Sequence, residues 1–126
     1  MTIPFTHKAF EDLLMEDSER GMKAVGRALI ALTELQTEYE RRTNQSVNHN
    51  HKGFNAVDAR IGMDNADHFR RFGFLQPVQL RYWRKQDKFG NVRICKYIEQ
   101  LIIIAKRKAG YVEKQEPQAV QLSLPL

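Results

Sequence analysis

Apolar residues recur at three- and four-residue steps along most of the first 110 positions, the mark of helices that bury one face. Thr6 stands where it can cap a helix over 7–16, whose Phe10, Leu13 and Leu14 share a side. Ser18 can cap a longer one, in which Met22, Val25, Leu29, Leu32 and Tyr39 repeat at helical spacing. Gly21 and Gly26 weaken that helix intrinsically, and close approach of another backbone accounts for them. The polar stretch TNQSVNHNHKG reads as a loop. Beyond it, Phe54, Val57 and Ile61 suggest a short helix capped by Asn55. A second follows over 64–72, stopped by Gly73 in the left-handed conformation. LQPVQLRYWRK continues as a helix with Pro77 in its first turn, and QDKFGN is a turn. Asn91 then caps a last helix over 92–109, closed by Gly110. Ile94, Ile98, Leu101 and Ala105 form its core stripe, and Lys106, Arg107 and Lys108 suit the negative end of its dipole.

From Tyr111 the periodicity stops. YVEKQEPQAVQLSLPL has scattered polar residues and Pro117, with no helical repeat. The expected fold is therefore all-α: a single small bundle of five or six helices over 1–110, a flexible linker over 111–120, and a separate short segment at 121–126. A chain of 126 residues has room for one core. No apolar run is long enough to cross a bilayer, and MTIPFTHKAF lacks the regions of a signal peptide. Cys95 is the single cysteine, so no disulfide framework exists within the chain. A reducing, cytoplasmic setting without a membrane partner fits this composition.

Charge changes the picture. The net charge is +5, and its distribution is uneven. Through Asn44 there are eight acidic and six basic side chains; from Arg70 to Lys108 there are eleven basic and two acidic, Asp87 and Glu99. Such asymmetry suggests a polyanion. The cations are spread over several short elements rather than along one long basic helix, which favours nucleic acid over a membrane surface. In the same region aromatics interleave with cations. The nucleic-acid-binding candidates are Arg70, Arg71, Arg81, Tyr82, Arg84, Lys85, Lys88, Arg93 and Lys96, where cations meet phosphates and an exposed ring stacks on an unpaired base. Phe72, Phe74 and Trp83 are expected in the core, with Tyr82 and Phe89 exposed. A helix–turn–helix reading over 64–85 offers only Gln79 and Arg81 for base readout, so single-stranded or branched DNA is the favoured ligand.

Other chemistry is sparse. His49 and His51 lie two residues apart in a polar loop without the further donors a metal needs. Asp58, Asp64 and Asp67 fall near expected helix starts and read as capping and dipole residues. Cys95 lies near an expected helix start, which can lower a thiol pKa, but its place beside the helix stripe reads as packing. No nucleophile–base pair or glycine-rich phosphate loop is visible. The expectation is a protein without catalytic residues, metal or cofactor.

The last six residues, QLSLPL, have two readings: a strand or plug that folds back onto the core, or a peptide for another protein's pocket. An extended backbone, favoured by Pro125, aligns Leu122, Leu124 and Leu126 on one side, with Ser123 and Pro125 facing away. Three leucines behind a polar linker make a poor core element and a good ligand for a preformed groove. This hexapeptide resembles the clamp-binding motif of bacterial replication and repair proteins, in which glutamine and alternating leucines dock into the sliding clamp. The resemblance implies that Gln121 makes polar contacts and that the three leucines fill pockets on the bacterial sliding clamp. A looser likeness spans about 29–103. There GFNAVDA, FGFLQPVQLRYWRK and KYIEQL are similar to a pattern in short phage and plasmid proteins and in segments of helicase-like proteins. The combined expectation is a non-enzymatic accessory factor of DNA replication or repair, held to DNA by its basic domain and to the clamp by its last six residues. The alternative is an inhibitor or adaptor of a mobile element that binds a host protein and occupies the clamp groove. A dimeric helix–turn–helix regulator is a third reading, which leaves the hexapeptide unexplained.

Overall fold

Thr6 starts the first helix as expected: its Oγ1 accepts from the Ala9 amide at 3.2 Å. α1 is His7–Leu14, two residues shorter than its apolar pattern suggested. Ser18 Oγ accepts from the Gly21 amide at 3.1 Å, at the head of α2, Glu19–Thr43. The computed structural model describes residues 4–43 and 53–110. The polar loop with His49 and His51, the linker over 111–120 and the segment Gln121–Leu126 lie outside the described residues, as does the side chain of Tyr39.

α3, Ala59–Phe72, is one helix where two had been expected over 55–72. Asn55 does not cap a helix of its own. Its Oδ1 accepts from the Asp58 amide at 2.9 Å, closing a turn that delivers the chain into α3. Gly73 ends α3 at φ 79, and its amide returns to the Phe69 carbonyl at 2.8 Å. α4, Pro77–Arg84, begins with Pro77 in its first turn. The 92–109 segment departs from expectation. Asn91 caps nothing; Ile94–Tyr97 is a 3-10 turn, and only then does α5, Ile98–Lys108, begin. Asn91 belongs instead to the turn at 86–92. Asp87 Oδ1 accepts from the Phe89 and Asn91 amides at 2.8 and 3.0 Å, and Gln86 pairs with Val92 in an isolated antiparallel bridge.

α2 is the spine. It packs most extensively on α3, while α1 packs on both α2 and α5. Val25, Leu29 and Leu32 of α2, Phe54, Trp83, Ile94 and Ile98 are all buried and form one core. The aromatic heart is Phe54, whose ring centroid lies 5.7 Å from Trp83 and 5.8 Å, edge-on, from Tyr97. No helix among the described residues is long and apolar enough to cross a membrane.

Two devices hold the chain where it re-enters after position 52. The buried Gln36 accepts from the Phe54 amide at 3.1 Å. Gln100 accepts from the Gly53 amide at 2.7 Å and donates to its carbonyl at 3.1 Å. Gly53 has φ 87 and lies against the backbone and Cβ of Gln36, so this anchor requires glycine. The α2 glycines also serve close approach, with different neighbours. Gly21 lies against the Glu16 carbonyl, but Gly26 faces the ring of Phe69 rather than a backbone.

That last contact sets a prediction. Alanine at position 26 gains roughly 1 kcal/mol of helix propensity, but its Cβ overlaps the Phe69 ring, which is only 9% exposed and has little room to retreat. Overpacking costs roughly 1–3 kcal/mol and separates α2 from α3. Gly26→Ala is expected to lower the melting temperature by several degrees in a calorimetric scan.

Candidate nucleic-acid interface

Charge in this protein falls into two populations, one neutralised inside the fold and one left at the surface. The division centres on Asp58. Its side chain is fully buried and makes no helix-capping bond, which corrects its reading as a cap. Tyr97 Oη donates to Oδ2 at 2.7 Å. Arg93 Nη1 donates to Oδ1 at 2.6 Å, and Tyr82 Oη approaches the same oxygen at 3.4 Å. Lys96 Nζ stands 3.9 Å from Oδ2. The Asn55 amide in turn donates to Tyr97 Oη at 3.1 Å. The Arg93 guanidinium lies 4.4 Å over the Tyr82 ring. Burial, followed by the hydrogen bond to Asp58, pushes the Tyr97 phenol far up. Burial, followed by the Asp58 charge, raises that of Tyr82. Both therefore stay protonated and keep donating.

Arg84 belongs to the same internal population. Its Nε and Nη2 donate to the Leu14 and Glu16 carbonyls at 2.8 and 2.7 Å. This fork binds carbonyls at and just beyond the end of α1 and ties α4 to the α1–α2 junction. Of the nine residues singled out from sequence, Tyr82, Arg84 and Arg93 are thus committed inside the fold, half-buried and bonded to protein.

The remaining six differ in what holds them. Arg70 pairs with Glu34 at 3.1 Å and Arg71 with Asp67 at 3.4 Å, both exposed pairs. Such pairs contribute little, and a phosphate displaces a carboxylate from them at small cost. Arg81 and Lys85 are exposed and make no ion pair among the described residues. Arg81 lies in the last turn of α4, and Lys85 is the extended residue that ends the helix. Lys88 follows in the 86–92 turn, its Nζ 5.4 Å over the Phe89 ring. Phe89 is 76% exposed, as expected. Lys96 sits at the border, next to Asp58 and at the surface. From Gly73 to Ile98 the one acidic residue is Asp87. Its carboxyl is held below the usual range by amide hydrogen bonds from Asn91 and Phe89, with desolvation opposing.

Gln79 does not serve base readout. Its Oε1 accepts from the Gln76 amide at 2.8 Å and its Nε2 donates to Asn65 Oδ1 at 3.1 Å. The side chain is occupied in starting α4 and joining it to α3. The two phenylalanines assigned to the core are at the surface: Phe72 is 58% and Phe74 45% exposed, whereas Trp83 is buried as expected. Sequence reasoning missed this because both sit at the end of an amphipathic helix whose last inward position is Phe69.

A polar cleft of 510 Å³ opens beside the Asp58 cluster, lined in part by His7, Cys95, Lys96 and Gln100. Burial pushes the Cys95 thiol up to about 11, opposite to what a nucleophile needs. No group of three metal-ligating side chains occurs among the described residues.

Two outcomes test this division. Asp58→Ala strands the Arg93 cation, 25% exposed, and is expected to cost roughly 3–5 kcal/mol in urea unfolding. Adding Arg93→Ala should recover part of that loss, and strictly additive effects would show that the pair is uncoupled. Cys95 is expected to react with a thiol reagent at pH 8 about ten-fold or more slowly than a free thiol of pKa 9.0. Its smaller thiolate fraction outweighs its greater basicity, and the rate should climb as the pH approaches 11. No protein-family model matches the chain, and no curated protein or solved structure is found similar to it.

Proposed function

We propose that this protein is a non-catalytic accessory factor of bacterial DNA replication or repair, which binds DNA through its helical domain and the sliding clamp through Gln121–Leu126. The observation that carries the DNA reading is the solvent-facing set Arg81, Lys85 and Lys88, none with an acidic partner among the described residues. Arg70, Arg71 and Lys96 extend it. Cations that are already solvated and unpaired lose little on meeting phosphate, and each releases counterions from DNA. The Asp58 cluster supports the reading indirectly, because it holds the segment from Lys85 to Lys96 in one conformation and so presents a fixed constellation.

The clamp reading rests on the six-residue resemblance and on the alternation of Leu122, Leu124 and Leu126. In this proposal residues 111–120 act as a tether. A tether of that length turns a modest DNA affinity into an effectively intramolecular contact, at a local concentration on the order of millimolar. Burying one leucine contributes about 1.5–3 kcal/mol, a large share of a short peptide's affinity.

The test uses two sets of variants in the full chain. Arg81→Ala with Lys85→Ala is expected to weaken DNA binding at every sequence and to reduce the slope of log affinity against log salt by about 2. Clamp binding should remain unchanged. Leu122→Ala or Leu124→Ala is expected to weaken clamp binding about ten-fold or more, a change of about 1.4 kcal/mol, with DNA binding by the domain unchanged. A parent protein that binds the clamp but no DNA at low salt would replace this reading with that of an adaptor whose domain contacts a host protein. A parent that ignores the clamp, and whose melting temperature falls on Leu124→Ala, would make the segment part of the core.

A further inference from the structure

Two large apolar rings stand in solvent where the helical pattern would have buried them. Phe72 closes α3 and Phe74 follows after Gly73. Their neighbours Phe69 and Leu75 are buried, so the segment is anchored on both sides while the two rings between the anchors point outward. His68 completes the group. Its ring centroid lies 4.7 Å from Phe72 and 5.5 Å, edge-on, from Phe74, and the two phenylalanines are 6.4 Å apart. In the tautomer that carries its proton on Nδ1, His68 donates to the Phe74 carbonyl at 3.1 Å. The left-handed Gly73 reverses the chain so that both rings reach the same side. The Leu75 amide lies 3.3 Å from Met22 Sδ, a weak acceptor that holds the far end of the turn against α2. The aromatics are exposed yet built in place.

We propose that His68, Phe72 and Phe74 form a stacking platform for unpaired bases of single-stranded DNA. This goes beyond the cation surface but rests on the DNA-binding reading. The surroundings favour a polyanion over a second apolar surface. Arg70 and Arg71 precede the platform directly; Arg81 lies on the helix that follows it, and Lys85 at that helix's C-cap. No acidic residue occurs from Arg70 through Gln86. The anions closest to the two arginines, Glu34 and Asp67, are held in exposed pairs that a phosphate can replace. Rings flanked by cations are what a flexible strand needs, because stacking tolerates any base while the arginines follow the backbone. A fixed platform also loses little side-chain entropy on binding. A duplex keeps its bases in the stack and leaves such rings unused.

The experiment measures binding of the full-length protein to a fluorescent oligothymidylate of about 20 nucleotides and to a duplex of the same length, by anisotropy at fixed salt. Phe72→Ala and Phe74→Ala are each expected to weaken single-strand binding about five-fold or more. Duplex binding and the salt slope should stay unchanged. Phe74→Leu, which keeps apolar bulk without a ring, should behave like alanine, and Phe74→Trp should restore binding. Ultraviolet irradiation should join the oligothymidylate to Phe72 or Phe74, read by mass spectrometry. Because both rings are exposed, the melting temperature is expected to hold, which separates lost stacking from lost folding. If single-strand binding survives both alanines but falls with Arg81→Ala and Lys85→Ala, the platform is wrong while the cation surface stands. If the parent binds no DNA, both fall. If the parent sediments as a dimer that Phe72→Ala dissociates, the rings are a self-association face and the proposal is overturned.

Discussion

A carboxylate removed from water is the constraint around which this bundle is arranged. The desolvation of Asp58 costs several kcal/mol, and the fold offsets it with one guanidinium and two phenols from two separate stretches of chain. Those donors come from α4, from the residue before the 3-10 turn, and from that turn's last position. To satisfy one aspartate the protein must therefore bring α4, the 86–92 turn and the start of α5 against the head of α3. The aromatic heart of the core follows from the same convergence, since Tyr97 supplies both an edge to Phe54 and a proton to Asp58. Arg93 is likewise shared, bonded to the carboxylate while stacked over Tyr82.

This internal use of charge shapes the surface. A sequence stretch with six cations and one anion between Gly73 and Ile98 would suggest a uniformly basic face. Arg84 and Arg93 are instead consumed in holding helices together, and Asp87 folds its carboxylate onto its own turn. What remains outward is smaller: Arg81 in the last turn of α4, Lys85 at its end, and Lys88 beside an exposed Phe89. Placing unsatisfied cations on rigid elements raises their value for a polyanion, because little order has to be created on binding.

The turn between α3 and α4 follows the same logic on the apolar side. Leu75 and Phe69 satisfy the core, and the chain gains nothing in stability from leaving Phe72 and Phe74 outside it. Exposed rings held by a glycine in the left-handed conformation and by a histidine bond are a feature that folding alone does not require.

The local elements were legible because their causes are local. Thr6, Ser18, Pro77, Gly73 and Gly110 sit within a few residues of the boundaries they set, and the stripe of Val25, Leu29 and Leu32 repeats at the helix's own period. The all-α class followed directly from these. The basic character of the region from Arg70 to Lys108 was legible as well, since charge is additive along a chain. Other outcomes depended on residues far apart. Asn55 could not be told from a helix cap, because what it holds is a turn oriented by Tyr97. Asp58 looked like a capping residue, because Arg93 and Tyr97, 35 and 39 positions away, carry no mark that they converge on it. Which arginines face water, and which phenylalanines, is decided only when the helices meet: a side chain's periodicity says which way it points from its own axis, not whether another element waits there to receive it.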